Sequence, residues 1–236
     1  MNEDKATGTE KAMSIKSTLY ALAMAAATLA LGACSTTTTI DEYRDAGVRD
    51  ITLNDNESMV ILGRRHLGDH ETEPDLISCI GKRLNRKLEV DVVNEQNFLN
   101  QLYPWFEPRT APLKLRRMER LMNDQAIANQ IAAMGVRYMV WVDGNTETTD
   151  SSGSLSCTIS PAGGGCFGFA SWDRLSSYEA IIWDIQEMEE KGRVRVDTEG
   201  TSYMIAVVAP VPFIAQVQSE ACEGMGNQLS TFFDGE

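Results

Sequence analysis

The hydrophobic positions in the first part of the chain predict a strand, a helix and a second strand. MVILG at 59–63 is a continuous apolar run, as expected of a strand buried on both faces. Pro74 suits the first turn of the helix that follows. The apolar face of this helix has residues spaced four apart, with a cysteine on the same face: Leu76, Ile80, Leu84 and Cys79. LEVDVV at 88–93 alternates and predicts the second strand.

The middle of the chain predicts two helical regions and a third strand. Asn94 is a good N-cap for the short helix in NEQNFLNQLYPWF, which we expect to end near Pro104. A longer helical region begins at about Leu113, and Gly135 is its expected C-terminal cap. Its apolar positions have helical spacing: Ile127, Ile131 and Met134. VRYMVWVDG at 136–144 is rich in β-branched and aromatic residues and predicts a strand.

The second half of the chain changes to consecutive strands and one closing helix. Three segments predict antiparallel strands joined by turns: FGFASW (167–172), YEAIIWDI (178–185) and RVRVDTEGTSYM (193–204). EMEEKG at 187–192 is expected to be one of the connections. A helix is predicted from about Pro212 to Phe232. The order β-α-β-α-α-β-β-β-β-α predicts an α/β (α+β) fold with a single mixed sheet and helices packed on it.

The N-terminal segment has the pattern of a secretory signal. In SIKSTLYALAMAAATLALGACS at 14–35, Lys16 precedes an apolar run that ends in small residues. The run is about 13 residues long, which is shorter than the roughly 20 that a transmembrane helix needs. The residues before Met13 include three acids, which is unusual in a signal. We therefore expect Met13 to be the true start.

The end of this segment is more specific. Leu31-Gly32-Ala33-Cys34 resembles the bacterial lipobox, in which the signal is cleaved before the cysteine and the cysteine receives a lipid. The resemblance implies a signal peptide over 1–33 and a covalent lipid on Cys34. The polar residues that follow predict a flexible tether over 34–56, before one globular periplasmic domain over 57–236. Under the enteric sorting rule, an Asp directly after the lipidated cysteine retains a lipoprotein in the inner membrane. Ser35 occupies that position here, which implies the outer membrane.

Composition narrows the range of partners and indicates disulfides. The net charge is −13, so the surface repels nucleic acid and anionic lipid headgroups, and we expect no nucleic-acid partner. A hydrophobic content of 43% is normal for a globular protein of this size. Beside Cys34, four cysteines in an oxidising envelope predict two disulfides, with three possible connectivities: Cys79, Cys157, Cys166 and Cys222.

One segment resembles a class of outer-membrane lipoproteins. MGVRYMVWVDG at 134–144 is similar to their run of helix end, glycine, small residue, polar residue, tyrosine, apolar strand and glycine. The class includes the curli-secretion channel lipoprotein, the lipoprotein activators of penicillin-binding proteins and the N-terminal domain of the Tol translocation β-propeller protein. Ile182-Trp183-Asp184, followed by Gly192, is similar to their strand that ends in Asp before a turn. Unlike the curli channel, the sequence shows no clear pair of long, alternating, membrane-spanning strands, so a pore is not expected.

The predicted elements favour one pairing of the cysteines. In this type of fold the first and last helices can lie side by side on one face of the sheet. Cys79 is on the first helix and Cys222 is on the last, while Cys157 and Cys166 face each other across a glycine-rich turn. We therefore expect the disulfides Cys79–Cys222 and Cys157–Cys166. CTISPAGGGC at 157–166 lacks further zinc ligands and a helix that would hold phosphate, so it is expected to be a stapled turn.

Metal-binding patterns are sparse in this sequence. His66 and His70 are four apart in HLGDHE, and imidazoles beside carboxylates are zinc ligands. The same segment is typical of a solvated loop before a helix, and we expect no metal there. DGNTETTDSSGS at 143–154 starts like an EF-hand loop, but Thr148 and Ser154 replace the required Gly and Glu. A polar loop after the strand is expected instead.

Nucleophilic catalysis has little support, because no G-x-S-x-G elbow is present, and we expect no enzyme. Three tryptophans in predicted strands either pack in the core or line a ligand pocket: Trp141, Trp172 and Trp183. Tyr103, Trp105 and Phe106 in YPWFEPR form either an exposed partner-binding patch or a cluster folded under a loop.

Together these patterns predict a non-catalytic envelope lipoprotein. We expect it to act as an interaction, assembly or regulatory factor at the periplasmic face of a membrane, with a lipid anchor, an envelope protein partner and no cofactor. The alternative is a lipoprotein that binds a small ligand or a metal. A stable partner recovered after crosslinking favours the first function, and a metal-dependent thermal shift favours the second.

Overall fold

The strands of the chain build one mixed sheet. The computed structural model describes residues 36–44, 51, 53–54, 56–65, 71–107, 109–112, 114–161 and 163–234. Within these residues the strands are β1 (Thr36–Arg44), β2 (Ser58–Gly63), β3 (Asp91–Val93), β4 (Val136–Ser160), β5 (Gly163–Asp184), β6 (Glu189–Ala206) and β7 (Pro210–Phe213). The helices in the same residues are α1 (Pro74–Leu88), α2 (Glu95–Gln101), α3 (Leu115–Met122), α4 (Gln125–Ala133) and α5 (Val217–Asp234).

The order of strands across the sheet is β1-β6-β5-β4-β2-β3, and β7 also pairs with β6. β2 is parallel to both β3 and β4, whereas all the other pairs are antiparallel. The predicted fold class, an α+β fold with helices packed on a single mixed sheet, is confirmed.

Helices cover both faces of the sheet. Successive residues of a strand point to opposite faces, so Met59 and Ile61 pack with α1 and α5, while Val60 and Leu62 pack with α2, α3 and α4. This explains why the predicted strand at 59–63 is continuously apolar, since β2 is buried along its whole length.

Helix α1 forms where the sequence predicts it. Pro74 occupies its first turn with Asp75 beside it, and two basic residues lie in its last turn, as the helix dipole favours. Its buried face is Leu76, Ile77, Ile80 and Leu84. The helix ends at Glu89, which has a left-handed backbone with φ of 53°.

The disulfides are Cys79–Cys222, which joins α1 to α5, and Cys157–Cys166, which joins β4 to β5. This is the pairing that the sequence predicts.

The predicted flexible tether over 34–56 is wrong for residues 36–44. These residues form β1, which pairs antiparallel with β6 from Thr36 opposite Gly200 to Arg44 opposite Gly192. The threonines and the isoleucine of β1 are β-branched and favour a strand, but nearly every side chain of this edge strand is exposed, so no apolar face marks it. The ordered domain therefore includes Thr36–Arg44 and does not start at residue 57. The predicted signal peptide and Cys34 lie outside the described residues.

Strands β4 and β5 form one long hairpin, paired from Tyr138 opposite Asp184 to Ser160 opposite Gly163. The predicted polar loop at 143–154 is wrong, because this segment belongs to β4. The strands predicted separately within 167–185 are one strand. The chain thus has a pair of long strands that the sequence patterns do not predict. Beyond the core both faces of the hairpin are largely solvated, so no simple alternation of apolar residues separates strand from loop.

The closing helix begins later than predicted. Pro212 belongs to β7, which pairs with the end of β6, and α5 begins at Val217. Proline lacks a backbone N–H and is tolerated in edge strands such as β7.

Candidate functional site

The sheet extends past its helix-covered part as a narrow ribbon, which we call the arm: residues 151–161, 163–172 and 201–214. Gly200 pairs with Thr36 of β1 on one side and with Arg174 of β5 on the other, so the arm begins just beyond the N-terminal end of β1. From Trp172 to Gly163, β5 runs on for about 30 Å at roughly 3.3 Å per residue. The arm consists of β4, β5 and the ends of β6 and β7.

The arm carries no charge. Two segments of the sequence contain no Asp, Glu, Lys, Arg or His, although the net charge of the chain is −13. They are SSGSLSCTISPAGGGCFGFASW at 151–172 and TSYMIAVVAPVPFI at 201–214. The charges resume at once on either side, with Asp150 and Asp173 at its root. The arm is therefore a neutral projection from a strongly acidic domain.

The exposed apolar side chains are concentrated in the arm. Of the twelve large hydrophobic residues exposed in the described part of the chain, eight lie there: Ile159, Phe167, Phe169, Ile205, Val207, Val208, Val211 and Ile214. Ile159, near the distal turn, is 94% exposed. Contiguous exposed apolar surface on a soluble domain marks an interaction site.

Both faces of the arm contribute to this surface. Phe169 pairs with Ile205, and its ring lies 5.9 Å from that of Tyr203 on the same face. The β4 residues on this face are serines, since Ser154 pairs with Phe169 and Ser156 pairs with Phe167. Ile159 pairs with Gly164 and therefore lies on the opposite face.

Covalent and backbone constraints stiffen the distal end. Cys157 and Cys166 are direct cross-strand partners, and their disulfide staples β4 to β5 beside the turn. The backbone N–H of Cys166 donates to the carbonyl of Val208 at 2.9 Å, which ties the segment after β6 to the hairpin. Gly168 has φ of 142°, and a Cβ there would stand 2.2 Å from the carbonyl oxygen of Ser154. Only glycine allows the two strands this close approach.

One edge of the arm is open. β2 pairs with β4 only as far as Val142, so from residue 143 onward this edge of β4 has no strand partner among the described residues. An open edge presents unpaired N–H and C=O groups to solvent or to another chain.

A partly buried polar network connects the β4–β5 hairpin, near the root of the arm, to the start of α1. The phenol of Tyr178 on β5 donates to Glu73 Oε2 at 2.9 Å, and the backbone N–H of Thr146 on β4 donates to Glu73 Oε1 at 2.8 Å. Burial raises the pKa of Tyr178, and the charge of Glu73 acts in the same direction. On the same face, burial and the nearby Asp184 raise the pKa of Tyr138 to about 12.

We expect the free energy of unfolding to fall as the pH rises above about 10, the ordinary pKa of a tyrosine. Above that pH the unfolded chain releases the phenol protons that the folded protein still holds, which favours unfolding, and for Tyr138 the loss continues to a pKa of about 12. Urea unfolding from about pH 9 to 11 should show a shallower pH dependence for Tyr138→Phe than for the wild type. Tyr43→Phe, at a 61% exposed position, should keep the wild-type slope, and equal slopes for all three proteins would contradict this cause.

A cleft lies between α1 and the segment of β3 and α2. This cleft of about 450 Å³ has Ile77 and Val92 in its apolar lining and Arg65 and Lys82 in its polar lining. Glu95 lies in the cleft and accepts a hydrogen bond from the backbone N–H of Gly63 at 2.9 Å. Burial raises the pKa of its carboxyl group.

The aromatic cluster predicted at 103–106 is divided. Phe106 is 2% exposed and packs edge to face on Phe98 with ring centroids 5.2 Å apart, so its place in a partner-binding patch is wrong. Tyr103 and Trp105 remain exposed at 71% and 39%. The aromatic spacing alone does not separate the ring that enters the core from the two that do not.

The other candidate residues have clear positions. Trp141 and Trp183 stack in the core at 6.5 Å, whereas Trp172 is half-buried in the arm near its root. His66 and His70 lie outside the described residues. Among the described residues, no group of three or more His, Cys, Asp and Glu side chains is placed to hold a metal. No helix in that part of the chain has the length and apolar character needed to cross a bilayer.

The sequence reasoning missed the arm. The signal that marks it is two long segments without a charged residue in an otherwise highly charged chain. Neither segment is apolar throughout, so patterns of hydrophobicity alone do not identify them.

Comparison with known proteins gives little more. No protein-family model and no curated protein matches the chain. Two solved structures of a PelC dodecamer from Paraburkholderia phytofirmans, one of them a point variant, are similar at 11% and 12% identity with TM-scores of 0.40 and 0.35. Each alignment covers 83% of this chain and 98% or 97% of the other. Likeness at this level identifies neither a family nor a function.

Proposed function

We propose that this protein is a non-catalytic envelope lipoprotein that acts as an interaction and assembly factor at the periplasmic face of a membrane. One observation carries the proposal: the charge-free arm holds eight of the twelve exposed large hydrophobic residues of the described chain. A surface of this kind is unfavourable in water unless another component covers it. The lipobox-like residues before Cys34 supply the anchor, and Ser35 favours the outer membrane.

The polar clusters of the domain also support a non-catalytic role. Glu73 is engaged by Tyr178 and Thr146 at the root of the arm. Arg137 is engaged by Asp184 and Glu57 at the opposite end of β4. These groups satisfy one another inside the fold, which is the arrangement expected of structural networks.

We expect crosslinking in intact cells to show that the arm holds the protein in an assembly. Replacing Phe169 and Ile205 together by serine removes apolar surface from the arm, so the crosslinked species on a denaturing gel should weaken several-fold. Replacing Ile40 and Tyr43 on β1 by serine is the matched control, because these residues are also exposed and apolar but lie outside the arm. Equal loss in both variants would contradict a specific role for the arm.

The anchor needs a separate measurement. Mass spectrometry of the N-terminal peptide of the wild-type protein should find a lipid on Cys34, and Cys34→Ser should abolish both the lipid and cleavage before that residue. Ser35→Asp is the control, because it should keep the lipid and move the protein to the inner membrane under the enteric sorting rule. An unmodified cysteine in the wild-type protein would refute lipidation.

The cleft keeps the second candidate function open. Its volume of about 450 Å³ is in the range of small-molecule sites. The partly buried Glu95, with Arg65 and Lys82 in the same lining, gives the cleft both negative and positive charge. A thermal shift that depends on a small ligand, or on zinc for His66 and His70, would favour a ligand-binding lipoprotein.

A further inference from the structure

We propose that the distal end of the arm enters the lipid surface to which the protein is anchored. The inference rests on the proposed lipidation of Cys34 and names the component that covers the end of the arm. It is carried by the direction of β1, by the lack of charge in the arm, and by the distribution of apolar residues on both of its faces.

The direction of β1 places the anchor and the arm at the same end of the domain. Cys34 comes only two residues before Thr36, the start of β1, and two residues of chain span at most about 7 Å. Because β1 is antiparallel to β6, this start is level with Gly200, where the arm begins. The arm projects about 30 Å beyond that level. Because the anchor is short, the root of the arm stays near the lipid, and the arm meets the surface at a shallow angle with its distal end dipping into it.

The charge distribution matches a lipid surface at that end. The domain as a whole is acidic, whereas the arm is neutral over both of its segments. Carboxylates are spread over much of the rest of the chain, and bringing them to the headgroups is unfavourable. An approach through the arm brings Phe167, Val207 and Val208, all more than 60% exposed, to the lipid.

The apolar residues also surround the end of the arm. Phe167 lies on one face, Ile159 lies on the other, and Val208 lies in the segment tied to the hairpin. A protein partner covers one contiguous patch, while a lipid layer surrounds whatever enters it. At the distal end a lipid layer covers Phe167 and Ile159 together, whereas a second copy of the chain seated on one face would leave the other side chain exposed.

The open edge of β4 limits the depth of insertion. Unpaired backbone groups cannot lie in hydrocarbon, because no water is present there to bond them. On this strand the face that carries Phe169 continues as Ser152, Ser154 and Ser156, whose hydroxyl groups suit the hydrated headgroup region. The distal turn and its aromatic neighbours thus enter the boundary between headgroups and acyl chains, and the edge of β4 stays hydrated.

Tryptophan quenching in vesicles tests this insertion. The full-length lipidated protein is reconstituted in phosphatidylcholine vesicles with or without brominated acyl chains, and the wild-type signal of its four tryptophans is subtracted. Phe167→Trp places a reporter on the arm at a 63% exposed position, and Tyr43→Trp is the control at a 61% exposed position on β1. We expect the reporter at 167 to lose roughly half of its emission to the bromines, because an inserted ring lies close to the roughly 30 Å hydrocarbon core. The reporter at 43 should lose none.

The outcomes separate this inference from the proposed function. If the protein carries the lipid and floats with vesicles but its reporter at 167 is not quenched, insertion of the arm is overturned. The proposed lipid anchor is then unaffected. A second result would also overturn insertion. If the reporter at 167 is blue-shifted but not quenched, and the protein sediments as a dimer, a second copy of the chain covers the arm. Protein without a lipid on Cys34 overturns both proposals.

Discussion

Replacing Arg137 by methionine should lower the free energy of unfolding by about 3–5 kcal/mol, because it leaves a buried carboxylate without its cation. The guanidinium donates to Asp184 through Nε at 3.0 Å and through Nη2 at 2.8 Å, and it reaches Glu57 through Nη1 at 3.1 Å. The Asp184 side chain is 0% exposed, so water cannot replace the lost partner. The hydrogen bond to Asp184 and the attraction of that carboxylate raise the pKa of Arg137, although its partial burial acts in the opposite direction.

Chemical unfolding of matched variants measures this effect. Arg195→Met is the control, because Arg195 pairs with Asp197 at 59% exposure and should change stability by less than about 1 kcal/mol. Adding Asp184→Leu to Arg137→Met should recover part of the loss, since a buried pair replaced by apolar residues is often nearly neutral. Recovery will be incomplete, because Asp184 Oδ1 also accepts the backbone N–H groups of Gln186 and Glu187. A loss no greater than that of Arg195→Met would show that the network does not stabilise the fold.

Replacing both Cys79 and Cys222 by alanine should cost up to about 5 kcal/mol of stability, because their disulfide closes a loop of 143 residues. Without the crosslink the unfolded chain gains the freedom of that loop. The bond also joins α1 to α5, which pack side by side on one face of the sheet, and Cys222 is 1% exposed. We expect a lower midpoint in urea and a lower melting temperature.

The second disulfide provides the control. Replacing Cys157 and Cys166 by alanine opens a loop with a separation of only 9 residues, worth about 2–3 kcal/mol in the chain-entropy model. This bond lies in the arm, outside the helix-covered core, so part of its loss should appear as local fraying rather than global unfolding. The prediction is contradicted if the distal pair costs more global stability than the pair between α1 and α5.

Elements that pack on the core could be predicted from the sequence. The spacing of Leu76, Ile80 and Leu84 predicts α1, and the continuous run at 59–63 predicts β2, because burial on one face or two imposes those patterns. Asn94 caps α2 as expected, with its side chain accepting from the backbone N–H of Asn97. These patterns depend only on residues that are close together in the sequence, so they predict the elements without knowledge of the rest of the fold.

Elements outside the core could not be predicted, for the same physical reason. Thr36–Arg44 and the segment at 143–154 are strands whose side chains face solvent on both sides along much of their length, so neither has the alternation that identifies a half-buried strand. Their order comes from pairing with distant residues, such as Gly200 for Thr36. The candidate site lies in this part of the protein. Its recognition required the pairing that brings residues 151–172 beside 201–214.

The position of β1 also determines how the domain bears a mechanical load. A pull at Thr36 along the strand, toward the arm, acts in shear on all nine residues of β1, because the hydrogen bonds of an antiparallel pair lie perpendicular to the strands. These bonds must then slide and break together. A pull at Thr36 out of the plane of the sheet would break them one after another, starting at Gly200. The domain therefore resists force strongly along one axis and weakly across it.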